Sequence, residues 1–214
     1  MGRDLLFEIG CEEIPASYVP PALKQLRDAL ATELAAARLA FDSTASFSTP
    51  RRLSVLCTNV ADRQTRETRV VSGPPAGIAF DDAGAPTQAA TGFARSQGVD
   101  VSQLRVVNEY VQVEVTDEGR SAAEVLPGCL SAAADTIAFP KTMKWGPDRR
   151  FARPIRWIVA LLGGDVLELE YAGVKADRST MGLRFWSPGP CGLSEPSAYE
   201  KLLSDNYVVA DQDK

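Results

Sequence analysis

The sequence predicts an α+β protein. Predicted helices and strands follow each other irregularly, the strand segments alternate apolar and polar residues, and no internal repeat or heptad organises the chain. A regular β-α-β order would point instead to a parallel sheet with helical crossovers. The 214 residues fit one large or two small domains, and 45% hydrophobic with 24% charged residues is the composition of a chain with its own core.

Residues 4–9 hold Leu5, Leu6, Phe7 and Ile9 and form a first strand, closed by Gly10. Pro20 and Pro21 suit the first turn of a helix, and Leu23, Leu26, Leu30 and Leu34 then lay one apolar stripe that ends near Arg38. Residues 41–48 read as a strand broken by Thr49-Pro50, and Leu53, Val55 and Cys57 alternate into the next. From Gln64 to Arg69 the chain turns polar; Gly73-Pro74-Pro75 and Asp81-Asp82-Ala83-Gly84 mark turns. Thr87 caps a short helix ended by Gly98. Residues 106–115 form a hairpin around Asn108-Glu109-Tyr110, and 122–138 form a helix with a break or kink at Pro127-Gly128. Ile155, Trp157, Val159 and Leu161 make a strand that turns at Gly163-Gly164 and returns through Val166, Leu167 and Leu169. A further strand over 171–175, a helix over 196–203 and a short strand at Tyr207-Val208-Val209 complete the chain. The composition shifts predict a discontinuous core, 1–65 with 150–214, and a smaller inserted α+β subdomain, 66–149.

The net charge of −5 lacks the basic excess of a free-standing nucleic-acid binder, so any RNA contact has to be a local basic patch or shared with a partner. The chain has no histidine, which removes Ser-His-Asp and Cys-His machinery, histidine-ligated metal sites and the histidine-bearing signature of class I tRNA synthetases. Cys11, Cys57, Cys129 and Cys191 form no C-x-x-C pair and read as reduced thiols. The opening residues have too short an apolar run for a signal peptide. No run approaches the ~20 residues of a membrane span, so a cytoplasmic location and no membrane partner are expected.

Glu12 and Glu13 point to opposite sides in a strand, so they make no catalytic pair and read as charge at a helix start. Arg51-Arg52 could bracket a phosphate or carboxylate; an exposed strand start fits equally. The segment 141–156 concentrates Lys141, Lys144, Arg149, Arg150, Arg153 and Arg156 against the single acid Asp148, with Trp145, Phe151 and Trp157 interleaved. Cations with aromatic faces suit a phosphate backbone and its bases. The alternative places the tryptophans in the core and the arginines in solvent: Trp157 fits the core, whereas Trp145, beside Gly146-Pro147, is expected to be exposed. The RNA-binding candidates are thus Arg51, Arg52, Lys141, Lys144, Trp145, Arg149, Arg150 and Arg153, with no catalytic or metal-binding residue among them.

Several blocks in order resemble the β subunit of bacterial heterotetrameric glycyl-tRNA synthetase. They are Leu6-Phe7-Glu8-Ile9-Gly10-Cys11-Glu12-Glu13-Ile14-Pro15-Ala16, Thr49-Pro50-Arg51-Arg52-Leu53, Gly73-Pro74-Pro75 and Pro86-Thr87-Gln88-Ala89-Ala90-Thr91-Gly92-Phe93-Ala94. Phe139-Pro140-Lys141-Thr142-Met143-Lys144-Trp145-Gly146, Arg153-Pro154-Ile155-Arg156-Trp157 and Gly182-Leu183-Arg184-Phe185 follow. The resemblance implies an N-terminal fragment whose mixed-sheet core is similar to the B3/B4 region of phenylalanyl-tRNA synthetase β. It implies an α-subunit partner that holds the adenylation site with ATP and Mg, tRNA(Gly) as the RNA partner, and no cofactor in this fragment. Support of tRNA binding and of α/β assembly is the leading expectation; an editing-type aminoacyl-tRNA hydrolase and a purely structural scaffold are the alternatives. Leu183 stands where the family usually has histidine, so no role of that histidine carries over.

Overall fold

The computed structural model describes residues 2–81, 83–145 and 149–211. Asp82, Gly146, Pro147 and Asp148, which enter the sequence reading as turn residues and as the lone acid of the basic segment, lie outside the described residues. The chain divides into a core unit, 1–64 with 120–214, and a small unit, 65–119.

In chain order the core unit opens with β1 (Arg3–Cys11), a single 3-10 turn, α1 (Val19–Ala36), β2 (Ser43–Thr49) and β3 (Arg52–Val60). The small unit follows with β4 (Glu67–Pro75), α2 (Ala76–Ala79), α3 (Gln88–Gln97), β5 (Arg105–Val107) and β6 (Tyr110–Asp117). The core resumes with α4 (Ala122–Asp135), the hairpin β7 (Met143–Lys144) and β8 (Arg150–Phe151), then β9 (Ile155–Leu162) and β10 (Asp165–Val166). It ends with β11 (Glu170–Tyr171), β12 (Val174–Asp177), β13 (Ser179–Met181), β14 (Pro190–Gly192) and α5 (Tyr199–Asp205).

The main sheet of the core runs β11-β12-β9-β1-β3-β2, with β10 also on β9. It is antiparallel except where β12 lies parallel to β9. β1 is central and buried on both faces, and period-2 alternation sends its side chains to two different clusters. Leu5, Phe7, Ile9 and Cys11 join Leu53, Val55, Cys57 and Ile158 under the leucines of α1 and the Val125, Leu126, Leu130 face of α4. Leu6 joins Trp157, Val159 and Leu161 on the opposite face, beneath Tyr199 and Leu203 of α5.

This packing moves the boundary expected for the insert. α4 has fully buried Leu126, Leu130 and Ala133 in the same cluster as Leu26, Leu30 and Leu34 of α1, so it belongs to the core unit rather than to a subdomain reaching 149. Burial also carries α4 straight through Pro127 without the expected break. The missing proline donor leaves one helical bond unmade, a local loss set against an apolar face that is buried along the helix.

Other differences are local. Gly10 does not close β1; a Cβ there would lie 1.9 Å from the Trp157 ring, so the strand needs a glycine where the indole crosses it. The polar run after Gln64 becomes strand β4, pairing with β6 in a three-stranded sheet ordered β4-β6-β5. Within the small unit, Ala79, Ala90 and their neighbours around Val111 cover one face of that sheet. The strand over 171–175 is a hairpin instead, with Ala172 (φ 52°) and Gly173 (φ 80°) between β11 and β12. No strand forms at Tyr207-Val208-Val209. Among the described residues no helix is long and apolar enough to cross a membrane.

Burial pushes the thiols of Cys11 and Cys57 from 9.0 up to about 12; at Cys11 the nearby Arg51 charge opposes this. An unfolded chain would release these protons from about pH 9, before the folded chain does, so the stability they contribute is complete below pH 9 and is lost as pH rises towards 12. The urea midpoint should therefore be lower at pH 10.5 than at pH 7.5. A thiol reagent at pH 8 should label partly exposed Cys191 first and leave Cys11 and Cys57 to unfolding conditions; fast labelling of all four cysteines in native buffer would contradict this account.

Candidate nucleic-acid interface

The basic segment folds as the β7–β8 hairpin and the approach to β9, and the structure divides its cations into two groups. Arg149 is held: it pairs with Asp135 at the end of α4 and lies 5.2 Å from the ring centroid of Tyr171. Tyr171 in turn donates its hydroxyl to Asp135 at 2.9 Å, and burial followed by that bond raises its pKa. Arg149 is thus a strut between the hairpin and α4 rather than a free RNA contact. Trp145 is half-buried, packs against the core and donates its indole N–H to the Phe151 carbonyl at 3.2 Å. The expected exposed stacking face is not there.

The second group remains on the surface. Lys141, Lys144, Arg150 and Arg153 are exposed. Arg150 donates to the Thr142 hydroxyl at 3.1 Å and Arg153 to the Glu13 carbonyl at 2.9 Å, contacts that orient the guanidiniums without neutralising them. Lys144 and Arg150 are direct register partners across the hairpin. Like charges directly opposite each other destabilise a strand pair, so this arrangement favours an anion placed between them.

Arg51 and Arg52 part company. Arg52 is buried, donating to the Met181 carbonyl at 2.5 Å and to Thr180 Oγ1 at 3.4 Å. Its guanidinium lies 3.8 Å from the carboxyl of Glu8. Arg52 thus serves a buried polar cluster with its guanidinium, although it also borders the cleft described below. Glu8 is itself fully buried and accepts from the indole N–H of Trp157, the hydroxyl of Tyr199, Thr180 Oγ1 at 2.5 Å and Ser54 Oγ at 3.5 Å. Sequence reasoning passed over Glu8. The signal was present, because a carboxylate inside Leu5-Leu6-Phe7-Glu8-Ile9 sits where every neighbour is apolar.

Glu12 also differs from its expected place at a helix start. It bridges Arg184 at 3.0 Å and Arg156 at 3.5 Å. Beside it Glu13, Thr49, Pro50, Arg51, Leu183, Arg184, Phe185 and Tyr207 line a cleft of about 500 Å³. Leu183 offers an apolar wall at the position where a histidine was expected by resemblance. Among the described residues no group of three or more cysteine or carboxylate side chains is placed to hold a metal ion.

Charge is divided unevenly between the two units. Residues 65–119 carry four arginines against eight carboxylates, leaving nineteen cations against twenty acids in the rest of the chain. Most of the net negative charge therefore belongs to the small unit, and the hairpin surface belongs to a nearly neutral one.

Residues 5–214 match the family described as glycyl-tRNA synthetase beta subunit. The chain belongs to that family. It is 45% identical over 99% of its length to the glycine–tRNA ligase beta subunit of Moorella thermoacetica, and 45% identical over 99% to that of Myxococcus xanthus. The corresponding protein of an Anaeromyxobacter species is 47% identical over 97% of the chain. The chain spans about 31% of the length of the Moorella and Myxococcus relatives and 30% of the Anaeromyxobacter one, so it matches a part of each β subunit.

The buried cluster under the cleft gives a direct test. Replacing Glu8 with alanine leaves four donors and the Arg52 charge without their acceptor, and a broken buried pair costs about 3–5 kcal/mol. Urea unfolding of Glu8→Ala should show a loss of that order, with Tyr199→Phe losing about 1–3 kcal/mol. A Glu8→Ala protein as stable as the parent would remove the cluster from its structural role.

Proposed function

We propose that this chain is the part of a glycine–tRNA ligase β subunit that binds tRNA and supports assembly with the α subunit. The match to β subunits across residues 5–214 carries the ligase reading. In this reading the α subunit adenylates glycine with ATP and Mg, and the segment described here supplies binding rather than chemistry. The mixed sheet with helices on both faces is compatible with a core of the B3/B4 kind.

Within the molecule, the reading is supported by the Lys144–Arg150 pair, flanked by exposed Lys141 and Arg153. Their side chains present mobile and fixed cations side by side, a combination suited to a phosphate backbone rather than to base recognition. Because such affinity arises from counterion release, it should depend steeply on salt.

Two measurements test the proposal. The chain alone should form no glycyl-adenylate and charge no tRNA; turnover without an α subunit would overturn the division of labour. In the assembled ligase, Lys144→Glu with Arg150→Glu should weaken tRNA binding at low salt and flatten the slope of log affinity against log salt by about two. Unchanged affinity, or crosslinks from Lys141 and Lys144 that reach only the α subunit, would make the hairpin an assembly surface instead.

A further inference from the structure

The cleft beside Arg51 is built from groups that the hairpin reading does not use. Its floor is a cation in an awkward setting. Arg51 is half-buried, its guanidinium lies 5.5 Å from the ring centroid of Trp157, and its buried Nε has no hydrogen-bond partner among the described residues. Arg52 beside it is committed to Glu8, and Arg184 to Glu12, so neither acid compensates Arg51 directly. Glu13 lines the same cleft but makes no ion pair with Arg51 among the described residues, and a partly desolvated cation without an ion-paired acid favours an anion in the adjoining space.

The rim has a different chemistry. Phe185 is 85% exposed and Tyr207 59% exposed, and both line the cleft. Trp186, 68% exposed, meets Tyr207 edge to face with centroids 5.1 Å apart. Large aromatic side chains left this open on one rim are unusual on a surface with nothing to cover them.

The rim is also held in place. The Leu183 N–H donates to the Asn206 carbonyl at 3.0 Å, and Ser187 Oγ donates to Asn206 Oδ1 at 2.6 Å, tying the 182–187 loop to the end of α5. A Cβ on Gly182 would fall 2.8 Å from Ser187 and 2.9 Å from Asn206, so that approach requires glycine. Tyr207 takes φ 62°, a conformation unfavourable for an aromatic residue and one that persists only where the surroundings impose it.

We propose that this cleft binds one nucleotide of a single-stranded RNA end, its phosphate on Arg51 and its base stacked on Phe185. The proposal rests on the reading of the chain as an RNA-handling segment and adds to it a second contact, separate from the hairpin. The volume of about 500 Å³ lies within the range that encloses small ligands. An aromatic face beside an arginine suits any base, so recognition here depends on an unpaired strand rather than on sequence.

The test is titration of this chain with a five-nucleotide single-stranded RNA at low salt, read by quenching of Trp186 fluorescence and by direct binding. Phe185→Ala should weaken binding roughly tenfold, and its thermal unfolding should match that of the parent because the side chain is exposed. Arg51→Gln should lower the salt slope by about 0.7, the value for one phosphate on a single strand. The Lys144→Glu, Arg150→Glu protein should bind the oligonucleotide as the parent does, which separates failure of the cleft from failure of the hairpin. The proposal is overturned by no measurable binding, by affinity indifferent to Phe185→Ala, by affinity lost only in the hairpin variant, or by preference for an acidic aromatic peptide over the RNA.

Discussion

The buried carboxyl of Glu8 is the constraint on which the core unit depends. It sits on the central strand and draws donors from β3, β9, β13 and α5 to one point. Apolar packing alone would let α5 slide over the Trp157, Val159, Leu161 face, because hydrophobic contacts have little direction. A charged acceptor with a limited set of lone pairs has direction, and it fixes where the Tyr199 end of α5 rests on the sheet. The same demand commits Arg52 inward, while its neighbour Arg51, one residue along the chain, is left facing the cleft. Two adjacent arginines of identical chemistry thus acquire different roles, because Arg52 opens β3 beside one buried acid and Arg51 lies in the turn before it.

The parts of the fold legible in the sequence were those with a repeated signal. The leucines of α1 recur along one face, the strand at Leu53-Val55-Cys57 alternates, and Gly163-Gly164 marks a two-residue hairpin that the structure places between Leu162 and Asp165. The α+β class and membership of the β-subunit family were legible for the same reason, since each rests on many residues at once. What the sequence concealed was set by contacts distant along the chain. β4 is mostly exposed, with the small unit's own apolar cluster on one face of its sheet, so its composition resembles a loop. α4 looked like part of the insert because no local pattern records that α1 is its partner.

The candidate site was legible in charge and illegible in geometry. The concentration of cations between 141 and 156 was plain, but their division into struts and free surface depended on Asp135, Tyr171 and Glu13, all of which lie outside the segment. Trp145 shows the same limit. Its neighbours suggested exposure, and its indole instead closes the hairpin against the core. The aromatic rim gave no periodic signal at all: Phe185, Trp186 and Tyr207 lie in irregular backbone, where position is set by glycine and by a left-handed residue rather than by any repeat.

The neck of the small unit is stitched shut within the core. Arg63 bridges to Ser121, Gln64 and Arg120 exchange two hydrogen bonds at 3.0 Å, and the Ala122 N–H reaches the Asp62 carbonyl at 2.8 Å. The outgoing and returning chains therefore leave the core as a zipped pair, and the entropy of closing that circuit changes only slowly with what is strung between its ends. An insert of another length strung between the same two ends would therefore cost the core unit little.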